Sequence, residues 1–355
     1  MALRVILAPM IRAARRAALF LVAGAMAAAA AAASTGPAAA TAGEPGRPAA
    51  LVSGHAAAVV GGHAAAVTAR QQAGVRRYWT RARMEQAVPL SPRPARRRGA
   101  APARVFLTAP VTIAPRAPAR AGLPAAGRGG LWTGDGAVAR TTGRVFFSLG
   151  RSDYTCSAST VASASSDVVV TAAHCVKDGT GAWAANWTFV PGYAGGKAPY
   201  GSYAARRYYV ASQWSTAADN DYDVAFVTVN PAVVGGSTVA VAREVGGQGI
   251  EFGAQPARVR AFGYPADPPY DGGQLAYCGG TTQPDPYGWT SDTGLSCAMT
   301  AGSSGGPWLS GFSPAAGTGI IASVSSFKYS TDSKILYGPP LGATAQALYQ
   351  AAARG

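Results

Sequence analysis

Three short strings hold side chains able to do nucleophilic chemistry: Thr171-Ala172-Ala173-His174-Cys175, Asp223-Val224-Ala225-Phe226 and Gly302-Ser303-Ser304-Gly305-Gly306-Pro307. In chain order they supply a histidine, an aspartate and a serine, separated by 49 and then 81 residues. A peptide carbonyl is a poor electrophile and water a poor nucleophile, so an acyl intermediate needs an activated hydroxyl. A neutral imidazole can take that hydroxyl's proton and return it to the leaving amine, if a carboxylate holds its tautomer. His174 is the only histidine after residue 63, which makes it the base if this region uses histidine at all. Asp223 directly precedes an apolar run and is expected at a strand start, facing inward. Asp221 is the fallback, and Asp219 and Asp221 otherwise read as solvated loop acids. The glycines around Ser304 permit a tight turn and close approach of a substrate carbonyl. The backbone N–H groups of Gly302 and Ser304 are the expected oxyanion donors. Ser303 is an adjacent decoy, and the Ser-Gly-Gly-Pro context favours Ser304.

Short β-prone runs must position these groups. Residues 144–148, 168–171, 187–190, 224–229, 259–262 and 319–324 read as strands, punctuated by Pro191-Gly192, Gly246-Gly247 and Gly272-Gly273. Many short strands with turn signals argue for an antiparallel barrel or sandwich. The one late helix is expected over residues 343–353, rich in Ala, Leu and Gln. Aromatic residues between 183 and 203 read as core and loop packing rather than a carbohydrate stripe.

The net charge of +15 suggests a polyanion partner until its distribution is seen. Residues 1–130 hold 18 of the 31 bases and two of the 16 acids, which leaves 13 bases and 14 acids in residues 131–355. The later region is close to neutral, so no nucleic-acid surface is indicated there. Arg4, Arg12, Arg15 and Arg16 precede an apolar run over residues 17–33, followed by small residues. That pattern predicts a signal peptide over 1–33, the run being short and Ala-rich for a membrane anchor. Arg15-Arg16 fits twin-arginine export poorly. Residues 34–130 are rich in Ala, Pro and Arg and are expected to be a disordered pro-segment or linker, with a short helix allowed near 75–88. Arg96-Arg97-Arg98 would suit a trypsin-like processing enzyme.

All four cysteines follow residue 150: Cys156 and Cys175 are 19 apart, as are Cys278 and Cys297. An even count in an exported chain suggests disulfides. Two local pairs are the economical arrangement, each stabilising by about 3 kcal/mol through loop entropy. With no C-x-x-C and one histidine in this half, no zinc site and no cofactor is expected.

With the motifs TAAHC, D-[hydrophobic]-A and G-x-S-G-G-P in place, residues 140–355 resemble the chymotrypsin-fold serine peptidases of secreted bacterial type, in the trypsin-like and glutamyl-endopeptidase-like branch. The resemblance implies an all-β fold of two antiparallel six-stranded barrels, with a cleft between them, spanning residues 131–355 with the C-terminal helix. It also implies that Cys156–Cys175 staples the histidine loop. The expected activity is that of a secreted, monomeric serine endopeptidase acting on proteins or peptides, made as a zymogen and free of the membrane after signal cleavage. Two positions depart from the trypsin pattern. Ser303 stands where an Asp would pair with a new N-terminus, and Ala298 stands where an Asp would select Arg or Lys. No histidine follows the nucleophile, as Glu-selecting members have. The expected pocket walls are Ala298, Met299 and Thr300 with the strand around Ser325 and Ser326, a small and neutral lining. Two other functions compete: a catalytically silent protease-fold binding protein, and a leader that acts as a polyanion- or wall-binding module.

Overall fold

The computed structural model describes residues 62–90, 105, 107, 109–116 and 129–355, all within one compact unit. The expected signal peptide, the Arg96-Arg97-Arg98 site and the remaining parts of 34–130 lie outside the described residues.

Six strands form the first half: β1 (Thr142–Leu149), β2 (Ser152–Thr160), β3 (Val168–Thr171), β4 (Ala185–Pro191), β5 (Tyr203–Val210) and β6 (Ala225–Val229). Their ladders run β1–β2–β3–β6–β5–β4 and return from β4 to β1, so the sheet closes into a six-stranded antiparallel barrel. Its centre is filled by residues such as Val145, Val170, Phe189 and Phe226, all with no exposed surface. Closure pairs each of the six strands on both sides, and stretches of β2 and β5 beyond those ladders pair with Val88–Pro89 and His63–Ala64.

The second half holds β7 (Gly249–Phe252), β8 (Arg258–Gly263), β9 (Ala276–Thr281), β10 (Thr293–Ser296), β11 (Pro307–Ser313), β12 (Thr318–Val324), β13 (Phe327–Tyr329) and β14 (Asp332–Gly338). Here the expected closed barrel is not seen among the described residues. A seven-stranded sheet runs Val111–Ile113, β7, β12, β11, β8, β9, Gly129–Leu131. A separate four-stranded sheet runs Gln283–Pro284, β10, β14, β13. The outer side of β9 is taken by residues 129–131, with Leu131 opposite Ala276 and Gly129 opposite Cys278. That backbone edge is therefore not available to β10, which is joined to β9 through Cys278–Cys297 instead.

The late helix is observed at Ala343–Arg354. Its Tyr349 ring meets Phe226 of the first half and Phe252 of the second, and its hydroxyl donates to the Ala162 carbonyl (2.7 Å).

Part of the segment expected to be disordered is ordered. Helices Ala69–Tyr78 and Arg81–Gln86 are flanked by strands His63–Ala64 and Val88–Pro89. Thr68 and Gln71 form a reciprocal capping box, and Thr80 caps the second helix. Val75, Trp79, Met84 and Ala87 are buried in the same apolar cluster as the first barrel. The composition is poor in large apolar side chains, but these few fall on one side of the segment and find a ready-made core.

Candidate active site

His174 follows β3 in the short 3-10 turn Ala173–Cys175. The Cys156–Cys175 disulfide ties that turn back to β2. Asp223 leaves the 3-10 turn Asn220–Tyr222 just before β6, which pairs with β3. The two therefore arrive side by side. Asp223 Oδ2 lies 2.7 Å from His174 Nδ1, and Asp223 Oδ1 accepts from the His174 backbone N–H (2.8 Å). Ser326 donates a third hydrogen bond to Asp223 Oδ2 (2.5 Å). Asp223 has no exposed surface. Burial would raise its pKa, but the charge of His174 and the hydrogen bonds from His174 and Ser326 hold it below the usual carboxylate range.

Ser304 sits in a turn that leads into β11. Gly302 and Gly305 have φ of +92° and +80°. A Cβ on Gly305 would lie 2.1 Å from Thr171 Oγ1, and one on Gly302 would lie 2.8 Å from the Tyr264 carbonyl. Only glycine fits either place. Ser157 on β2 clamps this turn. Its N–H donates to the Ser304 carbonyl (2.7 Å) and its hydroxyl to the Gly302 carbonyl (2.8 Å). The Gly305 N–H donates to the Ser325 carbonyl (2.7 Å). Among the described residues the N–H groups of Gly302 and Ser304 donate to no partner.

The Ser304 hydroxyl donates to the Leu90 carbonyl of the leader (3.2 Å). Among the described residues His174 Nε2 has no hydrogen-bond partner, although it is buried.

The expected pocket residues separate. Ala298 is exposed, and Thr300 bonds to Asp267 through its hydroxyl. Met299 has no exposed surface and packs in the second half's core with Trp308. Ser325 Oγ accepts from Trp308 Nε1 (3.1 Å), and Ser326 is bound to Asp223. Ser303 donates to the Thr300 carbonyl (2.7 Å). Lys328, beyond the expected wall, donates to the carbonyls of Cys297 (2.6 Å) and Ser333 (2.7 Å). Burial pushes its ammonium down to about 8.

Asp219 and Asp221 are not solvated, being 5% and 3% exposed. The Ser291 N–H donates to Asp221 (2.7 Å). Asp292 is buried nearby with neither carboxylate oxygen bonded among the described residues. Burial, then the charges of Asp221, Asp223, Asp285 and Asp219, push its pKa far up.

The metal-ligand types that do converge among the described residues are Cys156, His174 and Cys175. Their sulfurs are joined to each other, and a cystine sulfur is not a thiolate ligand.

The sequence places Ser326 in the pocket wall and not on Asp223, and it offers no sign of Leu90 at the site. Nothing local marks either. The Thr68-x-x-Gln71 box was a readable signal that the leader contains a helix.

Residues 156–311 match the Trypsin-like peptidase domain. The protease Anisep from Arthrobacter nicotinovorans is 40% identical over 61% of this chain and 96% of its own, with a TM-score of 0.56. The thermostable serine protease AL20, from an extremophilic microorganism, is 37% identical over 61% of this chain and 99% of its own, also with a TM-score of 0.56. A Glu endopeptidase structure, 19% identical with a TM-score of 0.50, shares the fold. The Extracellular metalloprotease of Bacillus subtilis (strain 168) is 36% identical over 64 residues, and the chain covers only 20% of that protein's length. The chain thus belongs to the trypsin-like, chymotrypsin-fold family of bacterial serine peptidases. Both expected disulfides, Cys156–Cys175 and Cys278–Cys297, are formed.

Proposed function

We propose that the protein is an exported serine endopeptidase that cleaves proteins or peptides through an acyl-enzyme. Ser304 is the nucleophile, His174 the general base and then acid, and Asp223 the group that holds the imidazole. The buried His174–Asp223 pair, with Nδ1 and Oδ2 2.7 Å apart, carries this reading. With Nδ1–H donated to Asp223, Nε2 is left as the proton acceptor. The N–H groups of Gly302 and Ser304 would receive the developing oxyanion. Two disulfides, and one relative named as extracellular that matches over 64 residues, support an extracellular setting. Among the described residues no helix is long and apolar enough to cross a membrane. The neutral residue at Ala298 favours cleavage beside uncharged side chains, which a peptide-library profile tests.

With leader-free protein, a fluorophosphonate should label Ser304 and peptide hydrolysis should follow. Asp223→Asn should slow turnover by about 10⁴-fold, the scale expected when the orienting carboxylate is lost. Ser304→Ala should abolish labelling. A folded, leader-free protein whose Ser304 stays unlabelled would favour the silent binding-protein alternative.

A further inference from the structure

We infer that the first barrel carries a docking surface for the protein's own leader. On this view, residues 62–90 stay bound there as a separate chain, with Leu90 over Ser304, after any cut downstream of residue 90. This rests on the reading of Ser304 as the nucleophile.

The leader holds on at three places. At the site, the Leu90 N–H donates to the Thr155 carbonyl (3.1 Å) while its own carbonyl accepts from the Ser304 hydroxyl (3.2 Å). The serine proton is thereby directed to an amide oxygen and not to His174. Just before this, Val88–Pro89 adds to β2 as a parallel strand, with Pro89 opposite Thr155.

In the middle, Trp79 is 6% exposed, its ring lies against Phe146, and its Nε1–H donates to the Asn186 carbonyl. Asp153 of β2 receives the Tyr78 hydroxyl (2.8 Å) and the Arg83 guanidinium (3.2 Å). At the far end, His63–Ala64 adds to β5, and the His63 ring stacks on Trp183 with centroids 4.1 Å apart. Asn230 accepts from Gln72 (3.0 Å) and donates to the Ala66 carbonyl (2.9 Å).

Every one of these contacts is made by residues 62–90 themselves, so none needs the chain to continue beyond Leu90. Strand addition combined with a buried aromatic anchor is a recognised way for a separate peptide to bind. A single cut after residue 90 would convert an internal plug into a bound inhibitor. Full activity then requires the leader to be displaced or digested.

The test uses the full chain with a recognition sequence for a sequence-specific protease inserted between residues 91 and 104. After cutting, the fragment containing 62–90 should co-elute with the remainder on gel filtration, and fluorophosphonate labelling of Ser304 should stay slow. Trp79→Ala in the same chain should release the fragment on cutting and speed labelling by about tenfold or more, as loss of an aromatic anchor does. Should that variant not fold, Asp153→Asn on the barrel side should give the same release more mildly. A synthetic 62–90 peptide should restore slow labelling after Trp79→Ala, where the barrel surface is intact, but should do so poorly after Asp153→Asn, and a Trp79→Ala peptide should restore it in neither. Escape of the wild-type fragment on cutting, or cut wild type labelling as fast as the variants, would overturn the inference. Absence of labelling in every folded form, fragment released or not, would instead count against Ser304 as nucleophile, while co-elution would still report on docking.

Discussion

Asp223 receives three hydrogen bonds and has no exposed surface, and each donor favours its charged form. Its folded pKa is depressed, so its contribution to stability is complete above the ordinary carboxylate value and is lost as pH falls through the lower, folded value. Ser326→Ala removes one donor. The acid limb of unfolding should then move to higher pH, and turnover should fall by about tenfold at most; an unmoved acid limb would show that Ser326 does not bear on the carboxylate. Asp292 has the opposite sign. Its folded pKa is raised, so stability declines as pH climbs above the unfolded value, and at neutral pH the group weighs against the fold. Asp292→Asn should therefore raise the melting temperature at pH 7, by the equivalent of about 1–3 kcal/mol, because the unfolded carboxyl ionises there while the buried one resists doing so, with the gain vanishing near pH 4. A melting temperature that drops equally at both pH values would contradict this. The choice of Asp223 over Asp221 was legible, because only Asp223 abuts the apolar run that becomes β6. The burial of Asp221 was not, since its neighbour Ser291 is 70 residues away.

The Ser304 turn is held by elements from both halves, and its glycines are where that crowding shows. Gly305→Ala would place a methyl 2.4 Å from the Ser157 carbonyl as well as against Thr171, at a φ that alanine avoids. The expected cost is about 3 kcal/mol or more, read as a lowered denaturation midpoint together with lost labelling of Ser304. Normal stability in that variant would mean the turn relaxes freely. The strand-to-histidine turn, the Ser304 turn and the late helix were all visible in sequence because each has a local signature: Val-Val-Val-Thr entering Ala-Ala-His-Cys, paired glycines, and Ala-Leu-Gln spacing. The leader helices were only partly visible, as a short helix allowed near 75–88, and composition hid their packing. Val75, Trp79 and Met84 are too few to make a core, and they fold by borrowing one that sequence reading had assigned to a different region.

The two halves differ in how their sheets end, and this was not legible at all, because ladder closure depends on pairings far apart in sequence. The first barrel closes on itself, and the backbone left over along β2 and β5 is taken by the leader strands Val88–Pro89 and His63–Ala64. In the second half the larger sheet stays open, and residues 111–113 and 129–131 are its outermost strands, against β7 and β9 respectively. Those short strands come from the part of the chain that composition marked as expendable. The position of any N-terminal cut is therefore not a neutral matter. Trimming past Leu131 would uncover the β9 edge, with the backbone of Ala276, Tyr277 and Cys278 unpaired along it. Such an edge is a template for another copy of itself. Protein beginning after residue 131 should self-associate in light scattering as concentration rises, whereas protein that keeps residues 105–131 should not; equal behaviour would refute the edge-guarding role. Processing that goes too far would thus trade a soluble enzyme for a sticky one, so colloidal stability, quite apart from catalysis, sets a limit on how much of the N-terminal region can be removed.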